Sequence, residues 1–401
     1  MKEDDDHGLP RLAYIADVNV QSLCHGSLQL FRLLSGYPPE KLLIVETTWN
    51  CSAPERRLPG VTYLHHRPRW TRVFHQGRFP GFSPWLAKFA MRRWREMGRL
   101  LEPFKPEALL TVAHGFSWLA LSELAQRRGL PLHLIIHDDW ARHPTFSPSV
   151  SRRLDAVFGD HYRRAASRLC VSAVMEEAYR EAYGAPGTVL YPTRSMDLNV
   201  ASEPPARLNE ELQTLTVAFA GTLHPGQIAP MQTMVEVLRA VNGRLLIFGP
   251  MTPAELDHAG LSGSHVEFRG MLSPNDLIAA MRREVDLLYA PIPFEEQWRG
   301  NASMGFPSKL TDYTAAALPM LIHGPAWGSA VKWALQEPEC ALVLQDPAPA
   351  PLEDTLSKIQ CDPWLRLKLA KGAAQVGRQY FSASAALGLF RNSLQDPVLS
   401  A

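Results

Sequence analysis

Short apolar runs that alternate with amphipathic stretches constrain this chain more than any other feature. "RLAYIADVNV" from Arg11 leaves its apolar run at Asp17, and "HGSLQLFRLL" from His25 follows with helical spacing. "KLLIVETTW" from Lys41 and "VTYLHH" from Val61 predict two further strands. "EALLTVAH", "FSWLALSELAQRRG" and "PLHLIIHDDW" predict one strand–helix–strand unit. "SRLCVS" from Ser167, a Glu- and Ala-rich helix and "GTVLYPT" from Gly187 complete the set. Such alternation is the signature of a parallel sheet wound by helices.

The pattern then breaks and restarts. "RSMDLNVASEPPARLNEE" from Arg194 is polar and carries prolines, which predicts a linker. "LTVAFAGTL", "MQTMVEVLRAV", "GRLLIFGP", "HVEFRGML", "NDLIAAMRRE" and "VDLLYAPI" repeat the alternation after it. With 401 residues, the chain is expected to form two Rossmann-like wound parallel-sheet domains facing a cleft. The expected boundaries are 1–195 for the first domain, 196–213 for the linker, 214–370 for the second domain and 371–401 for a C-terminal helix packing back on the first.

Bulk composition narrows the function classes. A formal net charge of +1 gives no support to a nucleic-acid partner. Cysteines at 24, 51, 170, 340 and 361 show no CxxC spacing, which argues against a disulfide scaffold and a zinc site. A reducing, cytoplasmic setting fits them. The acidic start "MKEDDDHGLP" does not read as a signal peptide, and no apolar run is long enough to span a membrane.

Ligands of wound sheets bind beyond the carboxyl ends of the strands. Residues just after strands therefore carry most weight: Asp17, His25, His114, His137, Asp138, Thr222, Gly249 and the segment 300–312. In "GNASMGFPSKLTDYTAAALPMLIHGP", Lys309 stands in the expected first turn of a helix, where a cation is mildly unfavourable. An anion arriving beside it resolves the conflict. Pro307 suits the first helical position, and Ser308 and Lys309 would then offer N–H groups, a hydroxyl and an ammonium to a phosphate. Asp312, one turn on, is placed to accept hydrogen bonds from ribose hydroxyls. The competing reading is an exposed Lys309–Asp312 ion pair.

The loop "GTLHPGQ" from Gly221 has two glycines that would let a diphosphate approach, although it is neither GxGxxG nor a P-loop. His114 in "TVAHGFSW" is a candidate hydrogen-bond donor or proton carrier, and a histidine satisfied within a loop is the plainer alternative. In "IIHDDW", Asp138 caps a turn or orients a histidine. The stretch from His65 to Leu100 is basic and aromatic, with Glu96 as its one acid. Its expected roles are to receive a phosphate-bearing or lipid-linked acceptor or to rest on an anionic membrane surface; a solvated helix is the alternative.

The order of these features resembles the glycosyltransferases of family four, whose two-Rossmann-domain architecture is called GT-B. "KPEALLTVAHGFSWLALSELAQRRGLPLHLIIHDDW" is similar to that family's N-terminal segment, "FAGTLHPGQIAPM" to its first C-domain loop, and "FPSKLTDYTAAALPMLIHG" to a subset with a Pro-Ser-Lys helix start. The resemblance implies transfer of a sugar from a nucleotide-sugar donor to an acceptor hydroxyl, with retained configuration, in glycan or polysaccharide assembly. It implies no cofactor and no metal. It places His114 near the reacting sugar as the catalytic residue, and His137 and Asp138 at the acceptor. Gly26, Gly221, Thr222, Gly249, Ser308, Lys309 and Asp312 fall at the donor. The chain departs from the pattern at Thr222 and Gln227, where an arginine and a lysine are usual, and at Met304, where the first of two glutamates would fall. Lys309, helped by Arg299, is then left to neutralise the diphosphate. Two rivals share this architecture: a sugar-nucleotide epimerase, for which Glu295 and Glu296 are the available acids, and a non-catalytic scaffold.

Overall fold

A computed structural model describes residues 8–22, 25–66, 91–142, 147–337 and 339–395, with only the backbone at positions 25 and 142. Residues 67–90, which hold most of the basic aromatic block, lie outside the described residues, as do residues 23 and 24 of the loop before Gly26. The chain divides into two compact units, Met1–Thr193 with Ala383–Ala401, and Arg194–Ser382.

The first unit runs β1 (Leu12–Ala16), α1 (His25–Leu34), β2 (Leu42–Glu46), β3 (Thr62–His65), α2 (Trp94–Leu101), β4 (Ala108–Val112), α3 (Ser117–Arg128), β5 (Leu132–Ile136), α4 (Pro148–Arg164), β6 (Ser167–Cys170), α5 (Ala173–Tyr183) and β7 (Thr188–Val189). Its strands, among the described residues, form one parallel sheet in the order β3-β2-β1-β4-β5-β6-β7. β1, β2, β4 and β5 are buried along their whole length, because helices cover both faces of a parallel sheet. Alternate residues of β1 serve opposite faces: Leu12, Tyr14 and Ala16 pack towards Leu30 and Leu34, and Ala13 and Ile15 towards Met97, Leu121 and Leu124. α5 begins where the Ser172 hydroxyl accepts from the Met175 N–H and stops at left-handed Gly184.

The second unit runs β8 (Leu215–Ala220), α6 (Ile228–Ala240), β9 (Gly243–Phe248), α7 (Pro253–His258), β10 (Val266–Gly270), α8 (Pro274–Glu284), β11 (Leu287–Pro291), α9 (Arg299–Met304), α10 (Lys309–Ala315), β12 (Met320–His323), α11 (Ser329–Gln336), β13 (Leu342–Leu344), α12 (Pro349–Cys361) and α13 (Pro363–Tyr380). The parallel sheet order is β10-β9-β8-β11-β12-β13. α14 (Ala383–Gln395) returns to the first unit, where Phe390 is fully buried in the core beside Leu30 and Leu33.

Two expectations change, and two features carried no expectation. The stretch 196–213 is not a free linker. Arg207 donates to the carbonyls of Arg282 and Val285 and pairs with Asp286, and Arg366 donates to the carbonyls of Leu208 and Glu210. The unit boundary therefore falls after Thr193. The C-terminal helix expected over 371–401 is two helices. Phe381 interrupts it, held by the Arg194 N–H on its carbonyl and by the rings of Phe306 and Trp333, both 5.7 Å away. β13 and α12 carried little sequence signal, since three half-buried residues precede the proline-rich "DPAPAP". α10 stops at Ala315, and Ala317 beyond it takes a left-handed φ of 52°.

The second sheet parts where the direction of winding changes. β8 and β11 pair at Leu287–Val217 and Leu288–Ala218 only. Beyond that point the Tyr313 hydroxyl bridges them. It accepts from the Ala220 N–H at 2.8 Å and donates to the Tyr289 carbonyl at 3.0 Å. Tyr313→Phe should leave a buried N–H and C=O unpaired, costing about 1–3 kcal/mol each, less whatever the strands recover by closing. Denaturant unfolding followed by tryptophan fluorescence should show a clearly lowered midpoint; an unchanged midpoint removes the bridge from the account.

Candidate functional site

In the second unit the expected donor residues gather at the carboxyl ends of β8 and β9. Gly221 has φ 121° and Gly249 has φ 159°. A Cβ on Gly249 would run into the Gly221 carbonyl oxygen, so the two loops can touch only because position 249 is glycine. Lys309 joins them: a Cβ on Gly221 would lie 3.8 Å from Lys309 Cε. Tyr313 on the same helix fixes this approach through its bridge at Ala220.

The Lys309 ammonium is the unusual group. Its Nζ is shut off from solvent, has no hydrogen-bond partner among the described residues, and lies 3.7 Å from the centre of the Phe219 ring. Burial pushes its pKa down to about 7, and no charged neighbour offsets the shift. The competing reading, an exposed ion pair with Asp312, is therefore not what the structure shows. Sequence reasoning found the lysine but missed Phe219, which lies within the apolar run of β8 and gives no separate signal.

Other donor candidates take distinct places. Asp312 is half-buried one turn on, and its charge acts on Arg194, which donates to the Thr311 carbonyl and the Thr314 hydroxyl. Ser308 is exposed and its side chain caps nothing. Pro307 lies before the helix rather than in its first position, with its carbonyl accepting from the Leu310 N–H. α10 has only seven residues, so its dipole adds little to the lysine. Thr222 is half-buried in the loop after Gly221.

Gln227, which stands where a lysine is usual, is occupied within its own loop. It accepts from the His224 N–H and donates to the Pro291 carbonyl at 2.9 Å. Arg299 pairs with exposed Glu296 at 3.0 Å and lies over Trp327. Glu295 is exposed as well.

In the first unit His114, Gly26, His137 and Asp138 come together beyond β4, β5 and the start of α1. His114 Nδ1 lies 3.9 Å from Asp138 Oδ2, and its ring centre lies 4.7 Å from that of Trp140. Both acid and histidine keep more than a third of their side-chain surface exposed, 48% and 41%. They can therefore meet a ligand. A Cβ on Gly26 would sit 3.6 Å from His137 Nδ1, an ordinary contact, so the glycine marks proximity rather than a steric need.

Burial pushes the His137 pKa down to about 4; Asp138 opposes that shift and His114 reinforces it. His137 is consequently neutral near pH 7. Asp139 is not part of this face: it is buried and accepts from the Tyr179 hydroxyl at 2.9 Å. Trp140 was not singled out from the sequence, although it follows "HDD" directly.

Among the described residues, no group of three His, Cys, Asp or Glu is placed to hold a metal ion. No helix among them is long and apolar enough to cross a membrane.

Comparison with known proteins places this geometry. The model of Glycosyltransferase Family 4 matches residues 46–193, less than half of the chain. No curated protein matches in sequence. Solved structures match over almost the whole length. Anabaena HepE in complex with UDP and glucose is 15% identical, with a TM-score of 0.62 over 96% of this chain and 99% of that one. Sucrose-phosphate synthase from Thermosynechococcus elongatus is 14% identical, with a TM-score of 0.64 over 94% and 97%. The E. coli trehalose-6-phosphate structure bound with UDP-2-fluoro glucose is 11% identical, with a TM-score of 0.65 over 96% and 99%. At these identities the likeness speaks for the fold. Residues 46–193 match Glycosyltransferase Family 4, and the chain as a whole is a GT-B fold protein resembling the glycosyltransferases of that family.

Proposed function

We propose that this protein transfers a sugar from a nucleotide-sugar donor to an acceptor hydroxyl, with retention of configuration, in glycan or polysaccharide assembly. The observation that carries the reading is the buried ammonium of Lys309 beside Gly221, without a hydrogen-bond partner among the described residues. An amine in that setting is stabilised by an anion, and the diphosphate of a leaving nucleotide is such an anion. Asp312 would take the ribose hydroxyls, with Gly221, Thr222 and Gly249 lining the approach and Ser308 offering a hydroxyl. His114 would hydrogen-bond the donor sugar or its departing oxygen, with Gly26 near the donor and with Asp138 and His137 near the acceptor.

The reading assigns no metal ion or cofactor a role. Similar structures hold UDP or a UDP-sugar, so UDP-sugars are the first donors to try. A glycan or lipid-linked acceptor, peripheral contact with the inner membrane leaflet and a cytoplasmic setting rest on the basic aromatic block and the cysteine pattern of the sequence.

Incubation with a panel of nucleotide sugars, with released nucleotide and transferred sugar both measured, tests the reading. Silence with every donor sinks it.

Lys309→Ala should weaken nucleoside diphosphate binding by about 1.5–3 kcal/mol, or roughly 10- to 150-fold in Kd, since a charge-assisted contact is lost. Calorimetry with UDP, GDP and ADP measures it; equal affinities for mutant and wild type return Lys309 to a packing role. The lowered pKa adds a pH signature. In the free protein the amine is half-protonated near pH 7, and a bound diphosphate would raise that pKa. Binding above pH 7 should therefore take up a proton, and affinity should fall by up to about tenfold per pH unit as pH rises from there. Titrations in buffers of different ionisation enthalpy count the proton. A count of zero at pH 8 contradicts the sealed-amine account.

His114→Ala should lower turnover by more than it weakens donor binding, because the residue is assigned to the sugar rather than the nucleotide. Comparable losses in kcat and in Kd for the donor would move it elsewhere.

A further inference from the structure

We propose that Asp17 is the positioning residue for His114, rather than a contact for donor or acceptor. The inference rests on the reading that His114 meets the donor sugar. Asp17 directly follows β1, the strand beside β4. One carboxylate oxygen, Oδ2, accepts from the N–H groups of Phe116 and Ser117 at 2.6 and 3.0 Å. The other, Oδ1, accepts from the Thr47 hydroxyl at 2.5 Å. The N-terminus of α3 has no cap of its own: its first turn contains no acid and Phe116 gives no side-chain cap. Two orphan N–H groups are thus satisfied by a carboxylate 99 and 100 positions earlier in the chain.

The turn that carries His114 is built against this carboxylate. Gly115 has φ 65°, and a Cβ there would run into the Asp17 side chain. The His114 N–H donates to the Val112 carbonyl at 2.8 Å, so the turn is tight on one side and held by Asp17 on the other. Between these two anchors the imidazole leaves the backbone towards Trp140 and Asp138. Thr47 extends the clamp to the chain beyond β2, and its N–H donates to the Ala16 carbonyl at 3.3 Å. The His114 ring direction is therefore set by a residue that never needs to touch a substrate. All three carboxylate contacts are internal, which leaves Asp17 without a free lone pair on the side of the turn.

Histidine ring resonances of the full chain provide the test, with His114 assigned by its disappearance in His114→Ala. In the wild type the nearby Trp140 ring should shift those protons away from the free-histidine position. In Asp17→Ala they should move back towards it, and kcat for the donor found in the panel should fall at least tenfold while donor KM stays within about twofold. Asp17→Asn, which still offers an oxygen to the Phe116 N–H, should restore most of both signals. If Asp17→Ala does not fold, Thr47→Val must move the His114 resonances in the same direction by less. His114 resonances that stay in place in Asp17→Ala, or in Thr47→Val when the alanine variant is unfolded, overturn the proposal. So does a rise in KM with kcat unchanged. Wild-type turnover in His114→Ala would refute the functional reading instead, and the resonance shifts would still decide the role of Asp17.

Discussion

A parallel sheet wound in both directions must part at one place, and each sheet of this protein parts next to its first strand. In the first unit the opening lies between β1 and β4, and in the second between β8 and β11. Backbone groups at a parting lose their ladder partners, and buried N–H and C=O groups left without partners are costly. The two units solve this with different side chains. Tyr313 reaches from α10 and satisfies one strand from each side, Ala220 and Tyr289. In the first unit the Thr111 hydroxyl donates to the Ile15 carbonyl at 2.6 Å, and Asp17 ties the next turn to α3. The candidate residues of each unit are built on these repairs. Lys309 shares a helix with Tyr313, and His114 shares a turn with the N–H groups that Asp17 holds.

Lys309 shows how the fold sets charge. Two unit charges about 4 Å apart interact with about 1 kcal/mol in water and about 4 kcal/mol at a surface-like effective dielectric of about 20. A sealed amine therefore costs more to ionise while free and interacts more strongly with an anion once paired. The Phe219 face offsets part of the first term, since a cation over an aromatic ring is attracted to its quadrupole. Burial still dominates, because the amine remains depressed to about 7. On the proposed reading, a ligand rather than a protein carboxylate would supply the counter-charge.

Much of the fold was legible because its signals are local. Apolar runs such as "LLIVE" and "LLIF", and caps such as Ser172 and Gly184, announce their own elements. The parts that were not legible depend on contacts distant in sequence. Arg207 and Arg366 turn a polar, proline-bearing stretch into a bound segment, and no property of that stretch foretells guanidiniums 75 and 158 residues away in the chain from their partners. Phe381 splits the last helix because rings from α11 and the segment before α10 hold it. In the site, strand-end placement singled out Lys309, His114, His137 and Asp138, and the structure gathers them as two groups. Phe219, Tyr313, Trp140 and the capping role of Asp17 stayed hidden, since an aromatic or an acid in an apolar run carries no mark of what it will face.

The departures from the family pattern form one consistent arrangement. Gln227 replaces an expected cation and is committed to its own loop, with its amide spent on His224 and Pro291. Arg299, the next available cation, is held by Glu296 and Trp327. On the proposed reading, the amine that would meet a diphosphate lies in a dry setting, where a surface cation would be hydrated. Hydrated cations give modest attraction that salt screens, whereas a desolvated amine is screened little. On the proposed reading, one buried lysine beside Gly221 would stand in for a surface pair. The substitution at Gln227 and the burial of Lys309 are thus two sides of one electrostatic arrangement.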